Sequence, residues 1–244
     1  MRAARFYIDA PLASLTQIEL PARVAHHAAR VLRLRDGESI VVFNGLGGEF
    51  AARLTVDDRR AFATIGAFDP VEREAPLSIM LVQSFIATEM LDWVIEKAVE
   101  LGVHSILLAP AQRSVVRLAN DRLARRLERL RESIITACAQ CGRNRIPPIA
   151  ASSTLAAALQ TGLDDDAHGF LLQPHAELPL VKAPLLSRRV AVAVGPEGGF
   201  DDDELALAQR LGYREYRLGP RVLRTETAGL AALAALQVVA GDFA

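Results

Sequence analysis

Residues equipped for chemistry concentrate in two short stretches near the C-terminal end of the chain. In Arg224-Thr225-Glu226-Thr227 a permanently cationic multiple donor stands two positions from a carboxylate. Such a pair can accept a proton on the carboxylate while the guanidinium stabilises negative charge growing on an oxygen. The plainer reading is an internal Arg224–Glu226 ion pair, with Thr227 capping the helix that follows. A loop position at the end of a strand favours contact with substrate or cofactor for Arg224 and Glu226, and a cap for Thr227. The second stretch is Gly195-Pro196-Glu197-Gly198-Gly199-Phe200. Three glycines and a proline in six residues let the backbone turn sharply and approach a ligand without intervening Cβ atoms. A simple strand-to-helix turn, with Asp201 as N-cap and Glu204 as its capping-box partner, explains the residues after the loop but not the loop itself.

These loops need strands to position them. From residue 77 onward apolar runs alternate with amphipathic stretches. Strands are predicted over 77–82, 105–109, 169–173, 190–194 and 215–218, and helices over 90–101, 120–141, 154–160, 202–211 and 227–240. Strands alternating with helices imply a parallel sheet covered on both faces, where ligands bind outside the carboxyl ends of the strands. Three such ends stand out: Leu171-Leu172-Gln173-Pro174, the glycine loop, and Leu218 to Ala228. As neighbours in the sheet they would form one pocket.

Residues 1–72 read differently. Short β-type runs at 39–43, 49–54 and 61–65 are separated by Asn44-Gly45, Gly47-Gly48 and Asp57-Asp58, with one helix around Pro21 to Leu32. That spacing suggests a small barrel, a shape that often presents a nucleic-acid face. Pro70 and Pro76 bracket a charged linker, dividing the chain into residues 1–72 and 73–244.

Composition excludes several classes. A chain of 244 residues with 51% hydrophobic and 23% charged residues is that of a folded protein, not a disordered one. No uninterrupted apolar run reaches a membrane span and no apolar signal core follows Met1, so a cytoplasmic location is expected. Neither G-x-G-x-x-G after a first strand nor G-x-x-x-x-G-K-[ST] is present, which argues against dinucleotide and P-loop chemistry. Cys138 and Cys141 have no second pair and end a helix instead of beginning one, and His26 and His27 lack partners at ligand spacing, so no metal is expected. Net charge is −1, yet residues 113–145 hold nine arginines against three acidic residues. Either a solvated helix face or a phosphate-contacting face fits that run. Gln140, Arg143 and Asn144, where it ends, could hydrogen-bond the edges of unpaired RNA bases.

Together, Gly195 to Phe200 and Leu218-Gly219-Pro220-Arg221-Val222-Leu223-Arg224-Thr225-Glu226-Thr227-Ala228 closely resemble the bacterial 16S ribosomal RNA (uracil-N3)-methyltransferase family of the SPOUT superfamily. Arg5-Phe6-Tyr7-Ile8, His27 with Val31 to Leu34 and Gly37, Lys97 to Val103, and Gln140 to Arg143 with Ile146-Pro147 extend the resemblance over nearly the whole chain. It departs at Ala87, often Lys in the family, and at Cys141, commonly Ser. The resemblance implies an α/β chain with an N-terminal PUA-like β-barrel over 1–72 and a SPOUT domain over 73–244, carrying a parallel sheet and a C-terminal trefoil knot. It further implies a homodimer, S-adenosylmethionine as cofactor, and ribosomal RNA or the small ribosomal subunit as partner, without membrane or metal. The cofactor would meet Leu172, Gln173, Pro174, Gly195, Pro196, Glu197, Gly198, Leu218, Gly219, Pro220, Arg221, Val222, Leu223 and Thr227. RNA would meet Arg5, Arg33, Arg113, Gln140, Arg143 and Asn144.

Methylating N3 of uridine requires removing or sharing the imide proton, stabilising charge on the flanking carbonyl oxygens, and aligning the reacting atoms, the last worth roughly 7–11 kcal/mol. Arg224 suits the carbonyl charge and Glu226 the proton, with Glu197 in reserve. The base must be unpaired or extruded to arrive. A non-catalytic RNA-binding protein, or a SPOUT enzyme acting on another nucleoside, would share much of this sequence.

Overall fold

In the computed structural model, which describes residues 3–57, 60–115, 120–185 and 187–243, the period-2 alternation of the N-terminal third becomes a five-stranded sheet. Its strands are β1 (Ala4–Tyr7), β2 (Gln17–Glu19), β3 (Ser39–Phe43), β4 (Glu49–Asp57) and β5 (Arg60–Asp69), in the order β1-β3-β4-β5-β2. β1 runs parallel to β3 and the remaining pairs are antiparallel. One face buries Phe6, Ile40, Val42, Leu54, Ala63 and Ile65, with alternate residues turned outward. Among the described residues no pairing joins β1 to β2. Helix α1 (Ala22–His26) widens after His26 into a π-type turn over His27–Val31, and Arg33 beyond it takes a left-handed backbone, φ 55°.

By its contacts the chain forms two compact units, Met1–Glu74 with Cys138–Ile146, and Ala75–Ala137 with Pro147–Ala244. No linker signal in the sequence marks the return of 138–146 to the first unit. Its reason is a buried set of paired charges. Arg143, 4% exposed, forms a two-pronged pair with Glu74. Arg5 pairs with Glu49, reaches Asn144 Oδ1 at 2.5 Å and lies 4.9 Å over the Phe43 ring. Arg73 joins Glu49 at 3.1 Å and the Gly142 carbonyl at 2.8 Å. The fully buried Asn144 donates to the Val71 carbonyl at 2.8 Å. Charges removed from water persist only when paired and hydrogen-bonded. The expectation that Arg5, Arg143 and Asn144 face RNA is therefore corrected: the Nη atoms of Arg5, the guanidinium of Arg143 and the amide of Asn144 are engaged inside this unit, and Arg5 Nε is buried without a partner.

The second unit carries a six-stranded parallel sheet. In chain order its elements are β6 (Ser78–Ser84), α2 (Thr88–Glu100), β7 (Ser105–Ala109), α3 (Asn120–Cys141, whose last turn enters the first unit), β8 (Ile149–Ala151), α4 (Leu155–Gly162), β9 (His168–Leu172), β10 (Arg189–Val194), α5 (Asp202–Leu211), β11 (Arg214–Tyr216) and α6 (Thr225–Ala240). The order is β11-β9-β10-β6-β7-β8. β10, buried from Val190 to Val194, lies between β9 and β6, as an apolar strand covered on both faces must. Leu171, Ala191, Ala193, Val82 and Leu107 pack on one face with Leu155, Ala158 and Leu159 of α4 and Ala208 of α5. On the other face α6 brings Gly229 against Leu81 and Val194 and packs beside α2.

Helix α3 has the limits its sequence predicts, and the Asp201–Glu204 capping box forms at the start of α5 with bonds of 2.8 and 2.9 Å. β8, three residues long behind Pro147-Pro148, was too short to read. Helix α6 starts at Thr225, so Thr227 lies within its first turn and caps nothing, which corrects the expected cap. Burial pushes the Cys138 thiol up to about 12, which suits a packed, unreactive side chain. Among the described residues no group of His, Cys, Asp or Glu could hold a metal ion, and no helix is long and apolar enough to cross a membrane.

Burial works to raise the Glu49 pKa, but hydrogen bonds from Arg5 and Arg73 outweigh it and hold the carboxyl below its usual value. A carboxylate depressed in the folded state stabilises above its unfolded pKa, and that contribution is lost as pH falls through the folded pKa. Glu49→Gln strands the Arg5 charge and should destabilise the protein by about 3 kcal/mol at pH 7, read from the urea midpoint. The difference from wild type should shrink on acidification below about pH 4.

Candidate active site

The three strand ends singled out in the sequence are neighbours. β10 lies beside β9 and β9 beside β11, and their carboxyl ends open on one cavity of about 870 Å³. Gln173 N donates to the Tyr216 carbonyl at 3.0 Å, fastening the exit of β9 to that of β11. The exit of β10 is fastened to α6. Thr225, 7% exposed, donates from Oγ1 to the Gly195 carbonyl at 2.6 Å and accepts from Gln83 Nε2 at 3.3 Å. Gln83, wholly buried, sits near the end of β6. A single hydroxyl thus links the ends of β6 and β10 to the first residue of α6.

The glycine loop is a tight turn closed by Gly199 N to the Pro196 carbonyl at 2.9 Å, with Gly199 at φ 68°, a conformation that side chains disfavour. A Cβ on Gly198 would lie 3.1 Å from Arg113 Cβ, so only glycine fits that approach without displacing the arginine. One carboxylate oxygen of Glu197 accepts from Ala87 N at 3.0 Å. Ala87 is the N-cap residue of α2 and has no capping side chain of its own, so Glu197 places negative charge at a helix start, where it is favourable.

Of the residues expected to meet a cofactor, Leu172, Gln173, Pro174, Gly195, Pro196, Glu197, Gly198, Leu218, Arg221, Val222 and Leu223 line the cavity, as do Arg224 and Glu226. Gly219, Pro220 and Thr227 are exposed and outside its lining. Glu226 has a side chain 12% exposed, and its carboxylate lies 4.0 Å from the guanidinium of Arg224, whose side chain is 86% exposed. A recessed carboxylate beside an open cation is suited to hold a proton while an anionic oxygen meets the arginine. Ala87, Met90, His175, Asp202 and Tyr216 also line the cavity without having been expected there from the sequence; His175 directly follows the β9 exit, Asp202 the expected N-cap Asp201, and Tyr216 lies in the predicted strand 215–218, so these three stood beside recognised signals.

The other candidates for RNA contact scatter. Arg33 and Gln140 are exposed, whereas Arg113 lines the cavity. Within the arginine-rich run, Arg126 is taken up by Asp92 at 2.8 Å and by the Thr88 carbonyl at 2.8 Å, and Arg145 by Glu72 at 3.1 Å. Arg122, Arg125 and Arg129 are exposed.

Against known proteins, residues 73–237 match an RNA methyltransferase domain and residues 20–65 an RNA methyltransferase PUA domain. The chain is 31% identical to ribosomal RNA small subunit methyltransferase E of Mycobacterium bovis, over 98% of this chain and 93% of that one. The chain belongs to the ribosomal RNA small subunit methyltransferase E family. Among solved members, the Neisseria gonorrhoeae protein bound to S-adenosylmethionine is 36% identical and superposes with a TM-score of 0.91 over 100% of both chains. A methyltransferase from Legionella pneumophila in complex with S-adenosylmethionine is 34% identical, with a TM-score of 0.94, also over 100% of both chains.

Thr225→Val keeps the shape of the buried side chain but removes the hydroxyl donor to the Gly195 carbonyl and one of the two acceptors of Gln83 Nε2, which keeps its bond to the Ser84 carbonyl. It should cost about 2 kcal/mol in urea unfolding, and Thr225→Ser should retain most of the stability.

Proposed function

We infer that the protein transfers a methyl group from S-adenosylmethionine to N3 of a uridine in 16S ribosomal RNA. The observation that carries this reading is the single cavity on which the β9, β10 and β11 exits meet the Arg224–Glu226 pair. Its residues fit the cofactor. Leu172, Val194 and Leu223 supply apolar surface for a flat base, and among the described residues nothing accepts from the amides of Glu197 and Gly198, which suits a ligand rich in acceptors. The expected cofactor residues outside the lining, Gly219, Pro220 and Thr227, act by shaping the loop and the first turn of α6.

When bound, the cofactor supplies an electrophilic methyl group on a sulfonium centre. Glu226 accepts the imide proton, because its carboxylate is recessed and its counter-cation is a loose 4.0 Å away. Glu197 is the poorer base, since one of its oxygens is already engaged by Ala87 N. Arg224, the open member of the pair, meets a uracil carbonyl oxygen as charge spreads onto it. Both side chains stand on the start of α6, so their spacing is set by one rigid element.

The same reading includes a cytoplasmic homodimer, a PUA-like barrel over 1–72, a SPOUT domain over 73–244 and a trefoil knot. The insertion of β10 between β6 and β9, both of which precede it in the chain, supports a knotted path. Exposed Trp93 on α2, Val238 and Val239 on α6, and Phe243 beyond it support a self-association face. For RNA, Arg33 and Gln140 remain open to solvent, and Arg30 and Arg35 flank Arg33 on the same exposed segment.

Incubating the protein with isotopically labelled S-adenosylmethionine and small subunits from a strain lacking the gene should place the label in 3-methyluridine, read by nucleoside mass spectrometry. Label on another base or on a ribose would reject the N3 assignment. Glu226→Gln should lower kcat by about 10²–10⁴ with cofactor affinity unchanged, and wild-type turnover in that variant would remove Glu226 as the base.

A further inference from the structure

Arg113 was expected on an RNA face, yet its guanidinium points at the glycine loop. Nη1 donates to the Gly198 carbonyl at 2.9 Å and to the Phe200 carbonyl at 3.4 Å. The arginine stem passes over Gly198 so closely that a Cβ there would stand 3.1 Å from Cβ and 3.3 Å from Cδ. The residue before it is fixed as well. Gln112 N donates to Glu204 Oε1 at 2.7 Å, while the other oxygen of Glu204 closes the capping box on Asp201 N at 2.9 Å. Behind Arg113, Ser114 Oγ accepts from Ala111 N at 3.2 Å and Ser114 N donates to the Ala111 carbonyl at 3.0 Å. The segment after β7 is thus a short closed turn, bolted to the start of α5 and reaching over the loop from outside.

The polarity of these contacts matters. An arginine can only donate, so it occupies the loop's carbonyl oxygens and fixes the peptide planes from the carbonyl side. Among the described residues nothing accepts from the amides of Glu197 and Gly198, in the same loop. Two fixed carbonyls in a turn of six residues leave the remaining peptide planes little freedom. The loop amides are then oriented before a ligand arrives, and the ordering cost of binding is reduced.

We propose that Arg113 is a positioning residue for the cofactor: it holds the 195–200 loop, through the Gly198 and Phe200 carbonyls, in the conformation that binds S-adenosylmethionine. This rests on the cofactor reading above. It moves Arg113 from substrate recognition to cofactor recognition, and gives a reason separate from ligand contact why a side chain at Gly198 would crowd the arginine stem.

The test is calorimetry with S-adenosylmethionine alone, no RNA present, on wild type, Arg113→Met and Arg113→Lys. Methionine keeps an apolar stem over Gly198 and removes every donor, and because the position is exposed the variant should fold. Its Kd for the cofactor should rise about tenfold, the weight of a charge-assisted hydrogen bond. Lysine, which carries a point charge without the planar fork, should recover part of that loss. In turnover assays the cofactor KM should rise with the Kd while the RNA KM stays at the wild-type value. A cofactor Kd for Arg113→Met equal to that of wild type overturns the assignment, as does an increase confined to the RNA KM. If wild type binds no S-adenosylmethionine, the cofactor reading and this inference fall together; binding by wild type with unchanged affinity in Arg113→Met removes the role of Arg113 alone.

Discussion

The cavity depends on one buried hydroxyl. Thr225 Oγ1 accepts from Gln83 at the end of β6 and donates to the Gly195 carbonyl at the end of β10, and Thr225 is itself the first residue of α6. A glycine-rich loop has the most backbone freedom to lose on ordering, and a bond to its first carbonyl removes much of that freedom at the hinge. Because Thr225 stands between Arg224 and Glu226, the interaction that fixes the loop also fixes the proposed acid–base pair. Binding surface and chemistry are in this way placed by the same residue, which a static polar contact at low dielectric can do at small cost once both partners are buried.

Charge has a different use in each unit. In the first, Arg5, Arg73 and Arg143 are matched to Glu49 and Glu74 and tie the 138–146 segment to the β-sheet. In the second, Arg113 and Glu204 hold backbone groups of the glycine loop and of the turn after β7. Counting arginines along the chain does not separate these uses from solvated or RNA-facing ones. The distinction lies in whether a carboxylate or a carbonyl waits at the place to which the side chain folds.

Much of the fold was legible because its signals are local. The apolar run Val190 to Val194 reads as a buried strand, the Asp201–Glu204 spacing as a helix start, and Gly142 as the stop of α3, and each is found in that place. The three strand exits were legible as candidate pocket walls because parallel sheets put their loops on one edge. What escaped is non-local. The start of α2 is met by Glu197, 110 positions later, and Thr227 looked like a cap because nothing in the sequence places a partner for Thr225 thirty residues upstream. Likewise, Arg5, Arg143 and Asn144 carry the chemistry of an RNA face but fold into one another, and β8 is too short for any periodicity.

The exits of β9, β10 and β11 are proposed to form one cofactor pocket held by Thr225. Hydrogen exchange followed by mass spectrometry, with and without saturating S-adenosylmethionine, tests it most directly. Cofactor should slow exchange together at residues 172–175, 195–200 and 217–226, with residues 1–74 unchanged. Protection absent from these three segments, or confined to residues 1–74, would contradict it.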